Sequence, residues 1–149
     1  MKAVIQRVKS ASVSVDDKII GEIATGFLIL LGVEQGDTQD DLNYLVNKTI
    51  GVRIFKDDNK NMNLSIKDVG GEALVVSQFT LCADTSRGRR PGFIKAANPE
   101  QAESMYQQFC KQLTINNLSV QMGKFGAMMD VSLVNDGPVT ILLDSREKN

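Results

Sequence analysis

The feature that most constrains the fold of this 149-residue chain is its longest apolar run, residues 27–33, which includes Gly32. Seven apolar residues in succession are typical of a β-strand buried on both faces. The run is far shorter than the roughly 20 residues that a helix needs to cross a bilayer. The sequence therefore predicts a central strand covered by other elements on both sides.

Two segments predict α-helices. Thr38 can cap the first, Asp40 and Asp41 lie in its first turn, and apolar residues then recur at helical spacing until Gly51. The second begins at Asn98-Pro99-Glu100, with Asn as the cap and Pro at the first helical position. It carries an apolar stripe that includes Tyr106, and it ends at Asn116-Asn117.

The remaining apolar segments predict about eight strands. Residues 11–15 and 19–23 form a hairpin around Asp16-Asp17-Lys18, and residues 72–81 form a strongly β-branched strand. We expect one α+β domain over residues 1–149, on a mostly antiparallel or mixed sheet with helices on one face and a second strand layer behind. The other predicted strands cover residues 2–8, 27–33, 52–55, 119–122, 128–134 and 139–143.

Composition excludes much of the chemistry used by hydrolases. The chain has no histidine, so it has no Ser-His-Asp or Cys-His machinery and no imidazole zinc site. Its two cysteines, Cys82 and Cys110, are too few for a Cys-only zinc site. We expect no metal and no cofactor. The N-terminus lacks the apolar core of a signal peptide, which favours a cytoplasmic protein without a membrane partner. The net charge of −1 gives no global attraction to nucleic acid, so RNA contact would need a local basic patch.

Four stretches are hard to explain by packing alone, although each has a structural alternative. Ser77-Gln78-Phe79-Thr80-Leu81 ends a strand with polar side chains, which alternatively just alternate outward. Arg87-Gly88-Arg89-Arg90 suits phosphate contact or is a solvated turn. Residues 123–129 carry two glycines that allow close approach of the backbone. Residues 135–140 form either a hairpin turn or a site for a cis Gly137-Pro138 bond.

Together, and in this order, these stretches resemble the D-aminoacyl-tRNA deacylase family. The pair formed by Ser-Gln-Phe-Thr and Asn-x-Gly-Pro-Val-Thr, about 58 residues apart, is highly specific to that family. The resemblance covers essentially the whole chain. Departures are small: Gly92, Met122 and Met128 stand where the family more often has Ser, Thr and Asp. Other matching segments are residues 3–8, 11–13, 30–33, 53–55, 62–63, 90–91 and 125–127.

The resemblance implies an enzyme that hydrolyses the ester of D-aminoacyl-tRNA, and also of glycyl-tRNA. It implies a homodimer in which Ser77, Gln78, Phe79 and Thr80 line each active site. Gly137 and Pro138 of the other subunit would enter that site with a cis peptide bond. Their carbonyls would capture the amino group and leave no space for an L side chain.

A Thr nucleophile needs a nearby base, and the sequence places none beside Thr80. The resemblance implies that the 2′-hydroxyl of the terminal adenosine assists, while backbone N–H groups of Phe79 and Thr80 stabilise the oxyanion. Phe125 and Met129 are expected to form the adenine pocket, with core packing as the alternative. The residues expected to contact the tRNA acceptor arm are Arg7, Lys9, Arg87, Arg89 and Arg90.

Two other functions compete with this hypothesis. One is a non-catalytic dimeric RNA-binding module, which would be expected to have lost the pocket motifs that are intact here. The other is a small-molecule esterase that uses Thr80 or Cys82. We expect no DNA partner.

Overall fold

The computed structural model describes residues 1–148, which form eight strands and two α-helices. Residues 79–82 add one short 3₁₀ turn, Phe79–Cys82. The elements in chain order are β1 (Lys2–Val15), β2 (Lys18–Ile23), β3 (Gly26–Gly32), α1 (Gln39–Gly51), β4 (Arg53–Lys56), β5 (Met62–Ser65), β6 (Glu72–Ser77), α2 (Pro99–Ile115), β7 (Ser119–Met122) and β8 (Asp130–Asp144).

The six-stranded sheet is mixed, as the sequence predicts. β1 pairs antiparallel with β2, β3 and β8, whereas β3 pairs parallel with β6 and β6 pairs parallel with β7. β4 and β5 form a separate antiparallel pair. The predicted central strand is β3, which lies between β1 and β6.

The sheet is covered on both faces. Alternate residues of β3, such as Phe27 and Ile29, belong to a large core shared with α1 and α2. Leu28 points into a smaller cluster with residues of β1, β2 and β6. A Cβ on Gly21 of β2 would lie 3.1 Å from Leu74 Cδ1 and 3.1 Å from the Met122 carbonyl oxygen. The β1–β2 hairpin therefore forms the second strand layer.

Both predicted helix caps are present. The Thr38 N–H donates to Asp41 Oδ2 at 2.8 Å, and Asn98 Oδ1 accepts the Gln101 N–H at 2.9 Å. These bonds satisfy donors that every helix start leaves without an intrahelical acceptor. No helix within residues 1–148 is long and apolar enough to cross a membrane.

The predicted strand over residues 72–81 is wrong in its second half. β6 ends at Ser77, which lies opposite Leu31 near the end of its parallel partner β3. The β3–β6 ladder stops there, one residue before β3 itself ends, and residues 79–82 form the 3₁₀ turn. A Cβ on Gly32 would lie 3.1 Å from the Gln78 carbonyl oxygen, so this glycine allows the turn to pack against β3.

Two pairs of predicted strands are each one long strand. Residues 2–8 and 11–15 both belong to β1, and residues 128–134 and 139–143 fall largely within β8. The hairpin interpretation of residues 135–140 is therefore wrong, because the chain does not reverse there. Instead Gln6 lies opposite Thr140 and Val8 opposite Asn135, so Arg7 alone faces residues 136–139. We call residues 136–139 the β8 bulge. The sequence did not predict β5.

Candidate active site

A cavity of about 570 Å³ opens at the end of β6. One side is formed by Ser77, Gln78 and Phe79, and another by Phe125 and Met129. The structure thus brings together five of the predicted site residues from two separate segments. The rest of the lining is mostly small or apolar: Val33, Val76, Ala96, Ala97, Pro99, Ala102, Gly126, Ala127, Met128 and Val131.

The 3₁₀ turn presents main-chain donors beside this cavity. Within residues 1–148, the N–H groups of Phe79 and Thr80 donate to no protein acceptor, whereas the next N–H, of Leu81, donates to the Gln78 carbonyl at 3.3 Å. Helix starts always leave such donors, because no preceding carbonyl is in position to accept. Adjacent N–H groups of this kind can stabilise the negative charge that develops on a carbonyl oxygen during ester hydrolysis.

The Thr80 side chain is exposed and has no base as a partner. In the described part of the chain, its Oγ1 is hydrogen-bonded only by the Gln78 side-chain amide, which donates to it. An amide nitrogen cannot accept the hydroxyl proton. In the described chain, the Thr80 hydroxyl is therefore not hydrogen-bonded to a side chain that could take its proton.

The Phe125 side of the cavity is attached to the sheet through one carbonyl. The Val75 oxygen accepts the Gly123 N–H at 3.0 Å and the Tyr106 hydroxyl at 2.8 Å. Burial raises the pKa of Tyr106 above its ordinary value, so this hydroxyl remains a donor at neutral pH. The sequence assigned Tyr106 only to the core stripe of α2, and no local signal shows that its hydroxyl reaches β6.

The Gly137-Pro138 peptide bond is cis, as expected for this dipeptide. It lies at the exposed tip of the β8 bulge and does not line the cavity of its own chain. Asn135 Oδ1 accepts the Val139 N–H at 2.8 Å, which closes the bulge from one end. Gly137 has a φ of +133°, a value that L side chains rarely adopt.

Arg7 is bonded to the bulge from inside the protein. The prediction that Arg7 contacts tRNA is therefore wrong. Its side chain is only 2% exposed. Nε donates to the Asp136 carbonyl at 3.0 Å and lies 3.4 Å from Asp136 Oδ2, while a terminal nitrogen donates to the Ile54 carbonyl. A guanidinium satisfied in this way inside the protein is not available to RNA phosphates.

The other predicted basic residues are exposed. Arg87, Arg89 and Arg90 lie on a loop whose ends are joined by the Asp84–Gly92 bridge. The Phe93 ring, next in the chain, packs edge-to-face on Phe79 with ring centres 4.9 Å apart. The basic loop is thus in contact with the 3₁₀ turn at the cavity.

Lys9 lies elsewhere, in a second and more open groove of about 580 Å³. This groove lies between the β1–β2 hairpin and β8, and its lining includes Glu22, Glu72 and Ser132. Lys9 is the one predicted site residue in its lining. The groove is therefore separate from the predicted chemistry.

Neither cysteine has the properties of a nucleophile. Cys82 is buried against the Val33 carbonyl, and burial raises the pKa of its thiol. Burial also raises the pKa of Cys110 to about 12. Both thiols stay protonated at neutral pH, which leaves the esterase hypothesis without a cysteine to support it.

Solved structures define the class of fold. The chain is 44% identical to a structure named c-Myc DNA Unwinding Element Binding Protein, with a TM-score of 0.91 over 97% of this chain and 98% of that one. A probable eukaryotic D-amino acid tRNA deacylase shares the fold at 16% identity, with a TM-score of 0.79 over 95% of this chain and 97% of that one. The protein is thus a small mixed-sheet α+β protein of the deacylase fold.

Sequence relatives identify the family. The model of the D-Tyr-tRNA(Tyr) deacylase family matches residues 4–144. D-aminoacyl-tRNA deacylases from Roseiflexus castenholzii and Flavobacterium psychrophilum are 58% and 56% identical, covering 97% and 99% of this chain and 92% and 99% of their own. One from an Exiguobacterium species is 54% identical, covering 97% of this chain and 98% of its own. The chain belongs to the D-Tyr-tRNA(Tyr) deacylase family and is a hydrolase.

Proposed function

We propose that this enzyme hydrolyses the ester bond of D-aminoacyl-tRNA, releasing the D-amino acid and free tRNA. The observation that carries the proposal is the pair of N–H groups of Phe79 and Thr80, which donate to no acceptor within residues 1–148, next to a cavity lined by Ser77, Gln78 and Phe79 and large enough for a nucleoside. Family membership supplies the substrate class. The cytoplasm, where charged tRNA is found, is the proposed compartment.

The chemistry rests on main-chain groups and on the substrate. Water adds to the ester carbonyl, and the charge that develops on the carbonyl oxygen is stabilised by the N–H groups of Phe79 and Thr80. The 2′-hydroxyl of the terminal adenosine assists in moving the proton from water to the departing ribose oxygen. The protein supplies orientation, which by itself accounts for several kcal/mol of a typical enzymatic rate enhancement.

Selection for D-amino acids is assigned to Gly137 and Pro138 of a second copy of the chain. In the described structure this dipeptide is exposed and does not line its own cavity, which supports its insertion into another subunit. There its carbonyls would accept hydrogen bonds from the substrate ammonium and occupy the space of an L side chain. Glycine has no side chain to exclude, so glycyl-tRNA is a second substrate. The proposed active unit is therefore a homodimer.

The remaining contacts position the tRNA. Phe125 and Met129 form the apolar wall against which the terminal adenine packs. Arg87, Arg89 and Arg90 contact phosphates of the acceptor arm, and Phe93 joins their loop to the turn that carries the donors.

The test is single-turnover deacylation of one tRNA charged with D-Tyr, L-Tyr or glycine. We expect hydrolysis of the D-Tyr and glycyl esters, with L-Tyr slower by about 100-fold or more, a difference of about 2.7 kcal/mol in transition-state binding. Equal rates on the D and L esters would overturn the proposal. A chain that binds all three tRNAs and hydrolyses none would be the RNA-binding module instead.

Thr80 separates this mechanism from that of a small-molecule esterase. Thr80→Ala keeps the N–H donor and should retain activity within about 10-fold, whereas an α-hydroxy acid at position 80 removes the N–H and should cost about 100-fold or more. A D-Tyr methyl ester, which lacks the ribose hydroxyl, should turn over very slowly. Fast turnover of that ester with wild type, abolished in Thr80→Ala, would instead favour Thr80 as a nucleophile.

A further inference from the structure

The wall of the cavity that carries Phe125 has few attachments of its own. Residues 124–129 lie between β7 and β8, and within the described chain they make one hydrogen bond, the internal Ala127 N–H to Lys124 carbonyl bond of 3.2 Å. The segment is tied to the sheet just before it, where the Gly123 N–H donates to the Val75 carbonyl. Its position therefore depends on side-chain packing.

Tyr106 provides that packing from α2. Its ring lies 6.1 Å from the Phe125 ring, at an angle of 43°. Its hydroxyl donates to the same Val75 carbonyl that accepts from Gly123. One buried side chain thus joins α2 to Val75, two residues before Ser77 in β6, and to the start of the wall that carries Phe125.

The hydroxyl and the ring have separable effects. Without the hydroxyl, Val75 still has the Gly123 N–H as a donor, and the ring still supports Phe125. Without the ring, the Phe125 side chain loses its aromatic partner and can shift toward the core, since residues 124–129 have no hydrogen bond to the rest of the described chain that would resist the shift. The wall of the cavity then moves while the Phe79 and Thr80 donors stay in place.

We propose that Tyr106 is a positioning residue that sets the Phe125 wall and thereby determines how tightly the enzyme holds the terminal adenosine of its substrate. The inference rests on the proposed function. It predicts an effect on substrate binding that is separate from the chemical step, because Tyr106 supports the adenosine wall and not the oxyanion donors.

The experiment compares Tyr106→Leu, Tyr106→Phe and Phe109→Leu by steady-state deacylation of D-Tyr-tRNA. Phe109 is the matched control, because it is fully buried in the same helix and the same core. We expect Tyr106→Leu to raise KM about 10-fold while kcat stays within about two-fold of wild type. Tyr106→Phe should keep KM within about three-fold of wild type. Phe109→Leu should lower the unfolding midpoint and leave KM unchanged.

A merely structural role makes a different prediction. Equal changes of KM in Tyr106→Leu and Phe109→Leu, or a loss in Tyr106→Leu confined to kcat, would overturn the inference. Phe125→Leu keeps the test informative if Tyr106→Leu fails to fold. It removes the same contact from the other side, and Phe125→Leu combined with Tyr106→Phe should raise KM no more than Phe125→Leu alone.

Calorimetric titration with adenosine separates this inference from the proposed function. Wild type and Phe109→Leu should bind adenosine equally, and Tyr106→Leu about 10-fold more weakly. If wild type binds adenosine in this pattern but hydrolyses no charged tRNA, the proposed function fails while the inference stands. If wild type binds no adenosine, or all variants bind it equally, the inference is overturned.

Discussion

The 3₁₀ turn and the β8 bulge both interrupt the sheet, but they do so in opposite ways. The turn follows Ser77, where the pairing of β6 with β3 stops, and within residues 1–148 it leaves the N–H groups of Phe79 and Thr80 without protein acceptors. The bulge is an insertion within one continuous strand, and its two ends are held by hydrogen bonds, from Arg7 to the Asp136 carbonyl and from the Val139 N–H to Asn135. The 3₁₀ turn thus offers N–H donors to a ligand, whereas the β8 bulge is a segment whose conformation is fixed by its hydrogen bonds to Arg7 and Asn135.

This difference matches what each region is proposed to do. A site that stabilises developing charge needs donors that are free until the substrate arrives. A site that rejects one enantiomer by steric exclusion needs a rigid segment, because a movable one could make space for the L side chain. Changes to Arg7 or the β8 bulge should therefore lower D/L discrimination and the free energy of unfolding. Changes to the 3₁₀ turn should lower the rate of hydrolysis.

The largest effect should come from removing the Arg7 side chain that holds the β8 bulge. Arg7→Met leaves the Ile54 and Asp136 carbonyls without their buried donor and the Asp136 carboxylate without its partner. We expect the free energy of unfolding to fall by about 3 kcal/mol, measured by urea denaturation. Discrimination between D-Tyr-tRNA and L-Tyr-tRNA should fall as well. Arg53→Met is the control, because Arg53 is exposed and bonded to Asn63, and it should change stability by about 0.5 kcal/mol or less.

A side chain at the tip of the bulge should act more on hydrolysis of the D substrate than on stability. In Gly137→Ala the new Cβ would lie 2.9 Å from a terminal nitrogen of Arg7, at a φ of +133°. We expect kcat/KM on D-Tyr-tRNA to fall by about 100-fold as the bulge shifts. Gly36→Ala places alanine at a positive φ of +82° with open space around it. Comparable losses of activity in both variants would show that a positive φ alone is responsible and would contradict a specific role for the bulge.

The basic loop should show a smaller effect, and only on binding. Replacing Arg89 and Arg90 by Ala should lower the slope of log K against log salt for tRNA binding by about 2, since each phosphate contact contributes nearly one unit. Single-turnover rates at saturating tRNA should stay near wild type. Lys67→Ala, an exposed charge outside the loop, should leave the slope unchanged. An unchanged slope in the double variant would remove these arginines from the interface.

The smallest effect concerns a group in neither region. Burial alone would raise the pKa of Asp41, but hydrogen bonds from Thr38 at the cap of α1 and from Ser145 outweigh it, and the pKa is lowered. A lowered carboxyl pKa contributes stability above the unfolded value of about 3.9, and this contribution is lost as pH falls through the folded value. Asp41→Asn should therefore cost about 1 kcal/mol at pH 7 and progressively less below about pH 4. An equal cost at pH 7 and pH 3 would contradict this account, and D/L discrimination at pH 7 should be unaffected.

Local signals in the sequence predicted both helices with their caps, the buried strand β3, the β1–β2 hairpin and β7. Each depends on near neighbours: Asn98 caps the helix that Pro99 begins, and the side chains of β3 alternate between two apolar faces. The end of β6 could not be predicted in this way, because residues 78–81 include Phe79 and Thr80, residue types that are themselves common in strands. β6 ends opposite Leu31, one residue before the end of β3, and where a strand ends is a property of its pairing.

The candidate site divides along the same line. Residue order alone predicts which segments line the candidate site, since the absence of histidine and the two spaced motifs can be read directly from it. It also determined the family. Tertiary structure alone decided that Ser77 and Phe125 share one cavity, that Arg7 is a buried brace and that Tyr106 reaches Val75. Those facts depend on contacts between residues far apart in the chain, and a one-dimensional pattern carries the identities of such residues but not the distances between them.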